Sequence, residues 1–360
     1  MSAPRLEIDL DKIYRNARTL VDLLAPRGVA VTGVTKAALG RPSIANALLR
    51  AGVRSLGDSR VANLETLRRA SVSATTKLIR SPMMSEVARV VQYADVSFNT
   101  EVDVIYQLSV AAQAAGILHG VVLMVELGDL REGILPEDLE HAVRQTLLQP
   151  NISLAGIGTN LACRSGVVPD ANNMGELSRL ADKVDAEFGL VLGTVSGGNS
   201  ANLRWALSGA DTGRINDLRL GEAILLGRDP LDRQPIDGLH LDAFTLIAEV
   251  IESKTKPSVP NGEIGQSAFG HTPRAIDRGL VRQMILAVGR QDCDPSGLTS
   301  STAIEISGAS SDHLIVECTG DPLRVGDEVR FEPDYSALLR AMTSPFVAKV
   351  ELAADMCAPR

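Results

Sequence analysis

A lysine closes the first strongly apolar run of the chain, Val29–Ala30–Val31–Thr32–Gly33–Val34–Thr35–Lys36. Seven more strand-like runs follow, and polar residues stand at the end of each. In order they give Asp58, Arg80, Asn99, Glu126 with Arg131, Asn160, Ser196–Gly197–Gly198–Asn199–Ser200, and Arg219–Leu220–Gly221–Glu222. An amine at the C-terminal tip of a barrel strand is placed to lose hydration and act as a nucleophile. Taken singly, the others have plain structural roles: Asp58 can cap a helix, Arg80 can join an ion pair, and Asn99 can start a turn. Folding alone does not require polar residues at every strand end, so their convergence reads as a site.

The seventh and eighth strand ends carry the most specific signal. Gly197 and Gly198 let backbone approach a ligand closely, and Asn199 and Ser200 can cap the helix that follows, with donors facing outward at its positive end. Gly221 adds backbone donors where barrels commonly hold phosphate. A tight turn without ligand uses the same residues. A phosphate site opposite a strand-end lysine fits pyridoxal 5'-phosphate, with the amine on the aldehyde and the phosphate anchoring the other end. A cofactor-free phosphosugar aldolase or isomerase would also use a lysine and a phosphate site.

These residues need a scaffold that brings eight strand ends to one face. The strand-like runs are Ala30–Thr35, Val53–Gly57, Lys77–Ile79, Val96–Phe98, Val121–Val125, Leu154–Gly158, Leu190–Val195 and Leu218–Leu220. Helical patterns lie between them, at Pro42–Leu49, Arg60–Leu67, Val102–Ala114, Pro136–Leu147 and Met174–Phe188, with apolar residues three and four apart. Eight strands with crossover helices predict an α/β fold, a parallel (β/α)8 TIM barrel over residues 10–228, with an open doubly wound sheet as the alternative. Beyond Gly227 the runs Phe244–Ile251, Met284–Val288, Leu314–Val316 and Glu328–Phe331 are broken by Gly, Pro, Asp and Ser with little helical periodicity. They predict a mostly β C-terminal domain over 239–352, with Asp229–Gly238 as boundary. The alternating residues 4–9 are expected to add a strand to that domain.

Composition narrows the partners. The formal charge is −8, no basic run is present and aromatics make up 3%, so neither an electrostatic nor a stacking footprint for nucleic acid is present. No apolar stretch approaches the ~20 residues of a membrane span, and Met1–Ser2–Ala3–Pro4–Arg5 has no secretory pattern. A cytoplasmic protein without membrane contact is expected. Cys163, Cys293, Cys318 and Cys357 show no zinc-like spacing, so reduced thiols and no metal are the expectation.

At this point the chain resembles the alanine racemase superfamily, the fold-type III pyridoxal-phosphate enzymes. Val34–Thr35–Lys36 resembles the family's Schiff-base lysine motif, and Gly128–Asp129–Leu130–Arg131 its fifth loop, where arginine meets the cofactor's phenolic oxygen. Asn199–Ser200 resembles the phosphate-binding pair. Arg219–Leu220–Gly221 resembles the arginine facing the pyridine nitrogen, with the following amides on phosphate. The closer resemblance is to the ornithine racemase branch, an alanine/ornithine racemase family. It is carried by Gly156–Ile157–Gly158–Thr159–Asn160–Leu161, Ser196–Gly197–Gly198–Asn199–Ser200, Leu218 to Gly227, Gly308–Ala309–Ser310–Ser311–Asp312–His313 and Arg340–Ala341–Met342–Thr343–Ser344–Pro345.

The resemblance implies a pyridoxal-phosphate-dependent amino-acid racemase, for ornithine or another basic amino acid. Alanine or broad-specificity racemisation, a lyase of the same fold and a non-catalytic pyridoxal-phosphate carrier are the alternatives. It implies cofactor contacts from Lys36, Arg131, Asn160, Asn199, Ser200, Arg219, Gly221 and Glu222, and a homodimer with shared active sites. Several family positions differ here. The histidine packed on the pyridine ring corresponds to Asn160, and the often carbamylated lysine to Met124. The second catalytic base, a tyrosine, falls near Ala268–Phe269–Gly270, where there is none, and Phe346 or a neighbour occupies the region of the phosphate-binding tyrosine. The opposite acid/base is therefore expected from His313, ahead of Cys293 and Tyr335, because imidazole exchanges protons near neutral pH. Asp292, Ser311 and Asp312 are the expected contacts for a basic substrate side chain, with Asp294 a further acidic residue nearby.

Overall fold

The computed structural model describes residues 2–270, 276–318, 320–321 and 323–352; Cys357 lies outside them. The chain forms two compact units, one from Leu10–Leu241, the other from the residues before Leu10 and after Leu241. After strand β1 (Arg5–Asp9) of the second unit, the first unit opens with the helix Leu10–Leu24, which buries Ile13, Ala17, Leu20 and Leu24 along one face. Eight parallel strands then close a barrel in chain order: β2 (Ala30–Val34), β3 (Ser55–Asp58), β4 (Thr75–Leu78), β5 (Val96–Asn99), β6 (His119–Met124), β7 (Ile152–Gly158), β8 (Thr194–Gly198) and β9 (Asp217–Leu220). The expected barrel is present, and β9 closing on β2 excludes the open sheet.

Some boundaries differ from the sequence reading for a common reason: apolar residues in the connections are also buried. Leu192 lies in the apolar run Leu190–Val195, yet the helix Ala171–Phe188 ends at left-handed Gly189 and the Leu192 amide donates to Asp185 Oδ1 at 2.9 Å, so β8 starts only at Thr194. Val53 likewise donates its amide to Leu48 O in the preceding connection, and β3 starts at Ser55. Asn16, buried in the first helix, donates to Ile224 O and His240 O at 2.9 and 2.8 Å and accepts the His240 amide at 2.7 Å, pinning the end of this unit to its beginning.

The barrel interior is not wholly apolar. Thr32, Lys77, Ser196, Asp217 and Arg219 are buried within it. A cavity of about 600 Å³ opens at the N-terminal ends of the strands, lined in part by Arg54, Lys77, Asn216 and Asp217.

In the second unit the strands are β10 (Phe244–Pro257), β11 (Leu280–Leu286), β12 (Leu298–Thr299), β13 (Ile304–Ala309), β14 (Leu314–Cys318), β15 (Glu328–Pro333) and β16 (Ala348–Leu352). They form a sheet in the order β12-β15-β10-β11-β14-β13, while β1 pairs antiparallel with β10 and parallel with β16. Leu6 and Ile8 of β1 are fully buried, and Arg5 makes a two-pronged pair with Glu328 at 2.5 and 2.8 Å. The helix Tyr335–Thr343, capped by Asp334, was not expected in a domain read as β; its period is visible in the buried residues Ala337, Leu338, Ala341 and Met342.

His119, at the start of β6, is fully buried. Its Nε2 lies 2.8 Å from Ser97 Oγ, and the Ala94 backbone favours the charged ring only weakly against burial. Burial pushes its pKa down from 6.5 to about 4. An unfolded chain takes up this proton near the ordinary value, whereas the barrel refuses it until about pH 4. Stability should therefore fall as pH drops from 7 to 4, by on the order of 3 kcal/mol from this residue. Urea titrations across that range check this: His119→Gln should flatten the dependence, and an unchanged slope would exonerate the histidine.

Candidate active site

The C-terminal tips of the barrel strands assemble around Lys36. The residue before it, Thr35, donates its hydroxyl to Asp58 Oδ2 at 2.7 Å and its amide to Gly57 O at 2.9 Å. Asp58 Oδ1 in turn accepts the Arg60 amide at 2.9 Å and Asn63 Nδ2 at 3.0 Å. Asp58 thus anchors the connection next to Lys36, more than capping a helix. Burial pushes its carboxyl up, against these hydrogen bonds and the charge of Lys36. Lys36 itself is half-buried at the head of a short 3-10 turn, Lys36–Ala38.

On β9, the strand next to β2, Arg219 is almost fully enclosed, and burial pushes its pKa down. Its guanidinium donates to Ser196 Oγ at 2.6 Å, to Thr159 O at 2.7 Å and to Asn160 Oδ1 at 3.3 Å, and it lies 5.1 Å from the Phe98 ring centre. Phe98 packs with Met124 in an apolar cluster, so the position corresponding to the family's often carbamylated lysine is core here. Asn160 Oδ1 also accepts Asn199 Nδ2 at 3.2 Å, while Asn160 Nδ2 is buried without a protein partner. That is a donor aimed where the protein supplies no acceptor.

The phosphate-like turn is built differently from the sequence reading. Side chains at Gly197 and Gly198 would strike Ile215 and the Asn202 carboxamide, so these glycines serve packing beneath the turn, not ligand approach. Asn199 Oδ1 caps the Ser200–Asn202 turn by accepting the Ala201 amide at 2.8 Å, and its Nδ2 donates to Leu161 O at 2.8 Å. The carboxamide ties two loops together and does not project donors outward. Ser200 Oγ accepts the Gly221 and Ala223 amides at 3.4 and 3.2 Å, so serine and strand-end backbone share one spot. The Glu222 carboxylate is paired with Arg233, which leaves only its backbone for a cofactor.

In the loop after β6, Arg131 is held by both oxygens of Glu132. Asp129, fully buried, accepts the amides of Cys163, Arg164 and Ser165 at 3.2, 3.0 and 3.0 Å, cinching this loop to the one after β7. Its only sequence signal was a place inside the Gly128–Arg131 motif. Cys163 is exposed with Sγ 3.4 Å from Asn199 Nδ2, a neighbour its spacing in the sequence does not signal. Arg80 lies 4.0 Å from Glu86; Asn99 turns its amide back on Ser97 O at 2.8 Å; Glu126 caps its own loop through the Gly128 and Leu130 amides.

In the second unit, Asp292 departs from its expected role. It is buried, with its oxygens on Ser344 Oγ at 2.7 Å and the Gly289 amide at 3.3 Å, because it braces the loop that contains it. Cys293 is buried too, and its thiol is pushed up to about 12 by burial, which removes it as a base near neutral pH. Asp294 caps the next turn. Ser311, Asp312 and His313 do come together at the surface, with His313 Nδ1 2.8 Å and Ser311 Oγ 3.2 Å from Asp312 Oδ1. Tyr335 is half-buried at the start of its helix. Among the described residues, no group of three or more His, Cys, Asp or Glu is placed to hold a metal ion, and no helix is long and apolar enough to cross a membrane.

These residues fit the needs of pyridoxal phosphate: an amine at one strand tip, a buried guanidinium on the neighbouring strand, hydroxyl and amide groups at the eighth tip, and the unsatisfied Asn160 donor among them. Known proteins resemble this chain along most of its length. An ornithine racemase of Acetoanaerobium sticklandii is 39% identical over 350 residues, covering 96% of this chain and 99% of that protein. A lysine racemase of Thermotoga maritima is 39% identical over 353 residues, covering 97% and 99%. Among solved structures, an alanine racemase from D-cycloserine-producing Streptomyces lavendulae superposes with a TM-score of 0.75 at 20% identity over 98% of both chains. A D-threonine aldolase from Filomicrobium marinum superposes at 0.72 and 17% identity, over 95% and 88%. These two likenesses speak for the fold alone. The family described as alanine racemase, N-terminal domain, matches residues 8–229, the span that holds Lys36, Arg131, Asn160, Ser200 and Arg219, and to that family the chain belongs.

Proposed function

We propose that this protein is a pyridoxal-phosphate-dependent racemase of basic amino acids, with ornithine or lysine preferred over alanine. The observation that carries the reading is near-complete coverage, at 39% identity, of two relatives named as ornithine and lysine racemases. The strand-tip cluster around Lys36 and Arg219 supports it.

Pyridoxal phosphate, when bound, supplies an electron sink that lets the Cα proton leave. Lys36 would hold it through Nζ and then exchange that proton on one face. Ser200 and the Gly221 and Ala223 amides would hold the phosphate, with the Asn160 amide as a further donor and Arg131 on the phenolic oxygen. Arg219, a guanidinium that donates and never accepts, would keep the ring nitrogen unprotonated. That weakens delocalisation and favours return of the proton over side reactions. The far face needs a second proton carrier, and His313, hydrogen-bonded to Asp312, is our candidate, supplied by a partner subunit of a homodimer as the family resemblance implies.

Borohydride treatment followed by peptide mapping should find the cofactor on Lys36; a label on Lys77 would remove the assignment. Chiral analysis should give kcat/KM for ornithine or lysine at least about tenfold above alanine. The reverse order would overturn the substrate but leave the cofactor. His313→Asn should slow Cα exchange unequally in the two directions, and unchanged rates both ways would eliminate it. Sedimentation should show a dimer, and a fully active monomer would refute shared sites.

A further inference from the structure

Asp217 lies two residues before Arg219 on β9, and in a strand such residues share a face, here the barrel interior one layer apart. Ser196 of β8 stands between them. Its hydroxyl donates to Asp217 Oδ2 at 2.6 Å and accepts Arg219 Nη1 at 2.6 Å. The other oxygen, Asp217 Oδ1, accepts Lys77 Nζ at 3.2 Å and the Thr32 hydroxyl, and Lys77 also donates to Thr32 Oγ1 at 2.9 Å. All five side chains are buried, and the cavity at the N-terminal mouth reaches the lower end of the column at Lys77 and Asp217.

The direction of these bonds matters. A serine hydroxyl has one proton, and a carboxylate can only accept. Asp217 therefore claims the Ser196 proton, which leaves a serine lone pair facing the guanidinium. Were that proton free to turn, Ser196 could present a donor to Arg219, which has only donors. A buried lysine-aspartate pair contributes little net stability, so its place directly beneath Arg219 calls for another explanation.

We propose that Asp217, acting through Ser196, is a positioning residue that fixes the Arg219 guanidinium toward the cofactor's ring nitrogen, with Lys77 and Thr32 holding Asp217 in register. This rests on the role proposed above for Arg219. The column governs how far the ring nitrogen is kept unprotonated, and hence how faithfully the substrate proton is returned.

The test uses holoenzyme loaded with pyridoxal phosphate labelled with 15N in the ring, in wild type, Asp217→Asn, Ser196→Ala and the double variant. In wild type the resonance should report an unprotonated nitrogen; a protonated one would mean that the reading of Arg219 has failed, whatever the variants do. With that reading intact, each single variant should move the resonance toward the protonated position at the same pH. Each should also raise keto acid released per racemisation turnover by about tenfold, the scale of one hydrogen bond to a charged group, with KM within about twofold. The double variant should match Ser196→Ala, because Asp217 acts only through the serine. A wild-type resonance and product ratio in Ser196→Ala, or additive effects in the double variant, would overturn the proposal. Circular dichroism checks folding, and if Asp217→Asn does not fold, Ser196→Ala still decides, since it cuts the same link with the buried pair left in place.

Discussion

Burying the Arg219 guanidinium would cost several kcal/mol if its donors met no acceptors, and the upper barrel is arranged around meeting them. Acceptors come from three directions: the Ser196 hydroxyl on the neighbouring strand, the Thr159 carbonyl and the Asn160 carboxamide beyond the end of β7. The Phe98 face covers a further side. Each acceptor is fixed by something else. Thr159 Oγ1 donates to Val125 O at 2.8 Å, Asn160 shares its oxygen with Asn199, and Ser196 is held by Asp217. One enclosed cation thereby orders the ends of β7, β8 and β9 together.

The loops above these strands are tied by the same kind of contact. Asp58 fastens the turn at Thr35, Asp129 fastens the loop after β7 by three amides, and Asn199 joins that loop to the one after β8. Acidic and amide side chains at a barrel mouth look like catalytic groups from their type. Most of them here have their oxygens on backbone amides, where they are worth more as anchors than as proton carriers.

This explains what could be read from the chain and what could not. The eight runs at helix-length spacing carry the barrel, since each parallel strand needs a crossover connection to reach its neighbour. Lys36, Asn160, Ser200 and Arg219 were legible because a polar residue at a strand end can point only to the mouth or to a connection. The residues behind them were not. Asp217 opens β9 at the far end from the mouth, Ser196 reads only as part of the turn after the seventh strand, and only the closed barrel reveals that they touch. The same limit misassigned Asp292: an acidic loop residue suits a basic substrate until its oxygens are seen to be taken up by Ser344 and Gly289. In the second unit, short runs such as Ile304–Ala309 carry half-buried and exposed residues, so their pattern is weak, and the pairing across β10 that defines the sheet is non-local.

Under the proposed function, rigidity around Lys36 would have a chemical use. Thr35 is held by its hydroxyl on Asp58 and by its amide on Gly57, and its carbonyl accepts the Ala38 amide at 2.9 Å, so the backbone that carries Lys36 is fixed on several sides. The lysine side chain, by contrast, is a compact charge on a flexible four-carbon stem. A racemase of this family needs the same amine both to hold its cofactor and then to exchange a proton at Cα. A rigid base with a movable tip would serve both tasks in the function proposed above, whereas Arg219, held by three acceptors, would suit the static one of facing a ring nitrogen. The division between the two cations follows from their surroundings: one is half-buried at the start of a short turn, the other enclosed between three strands and an aromatic ring.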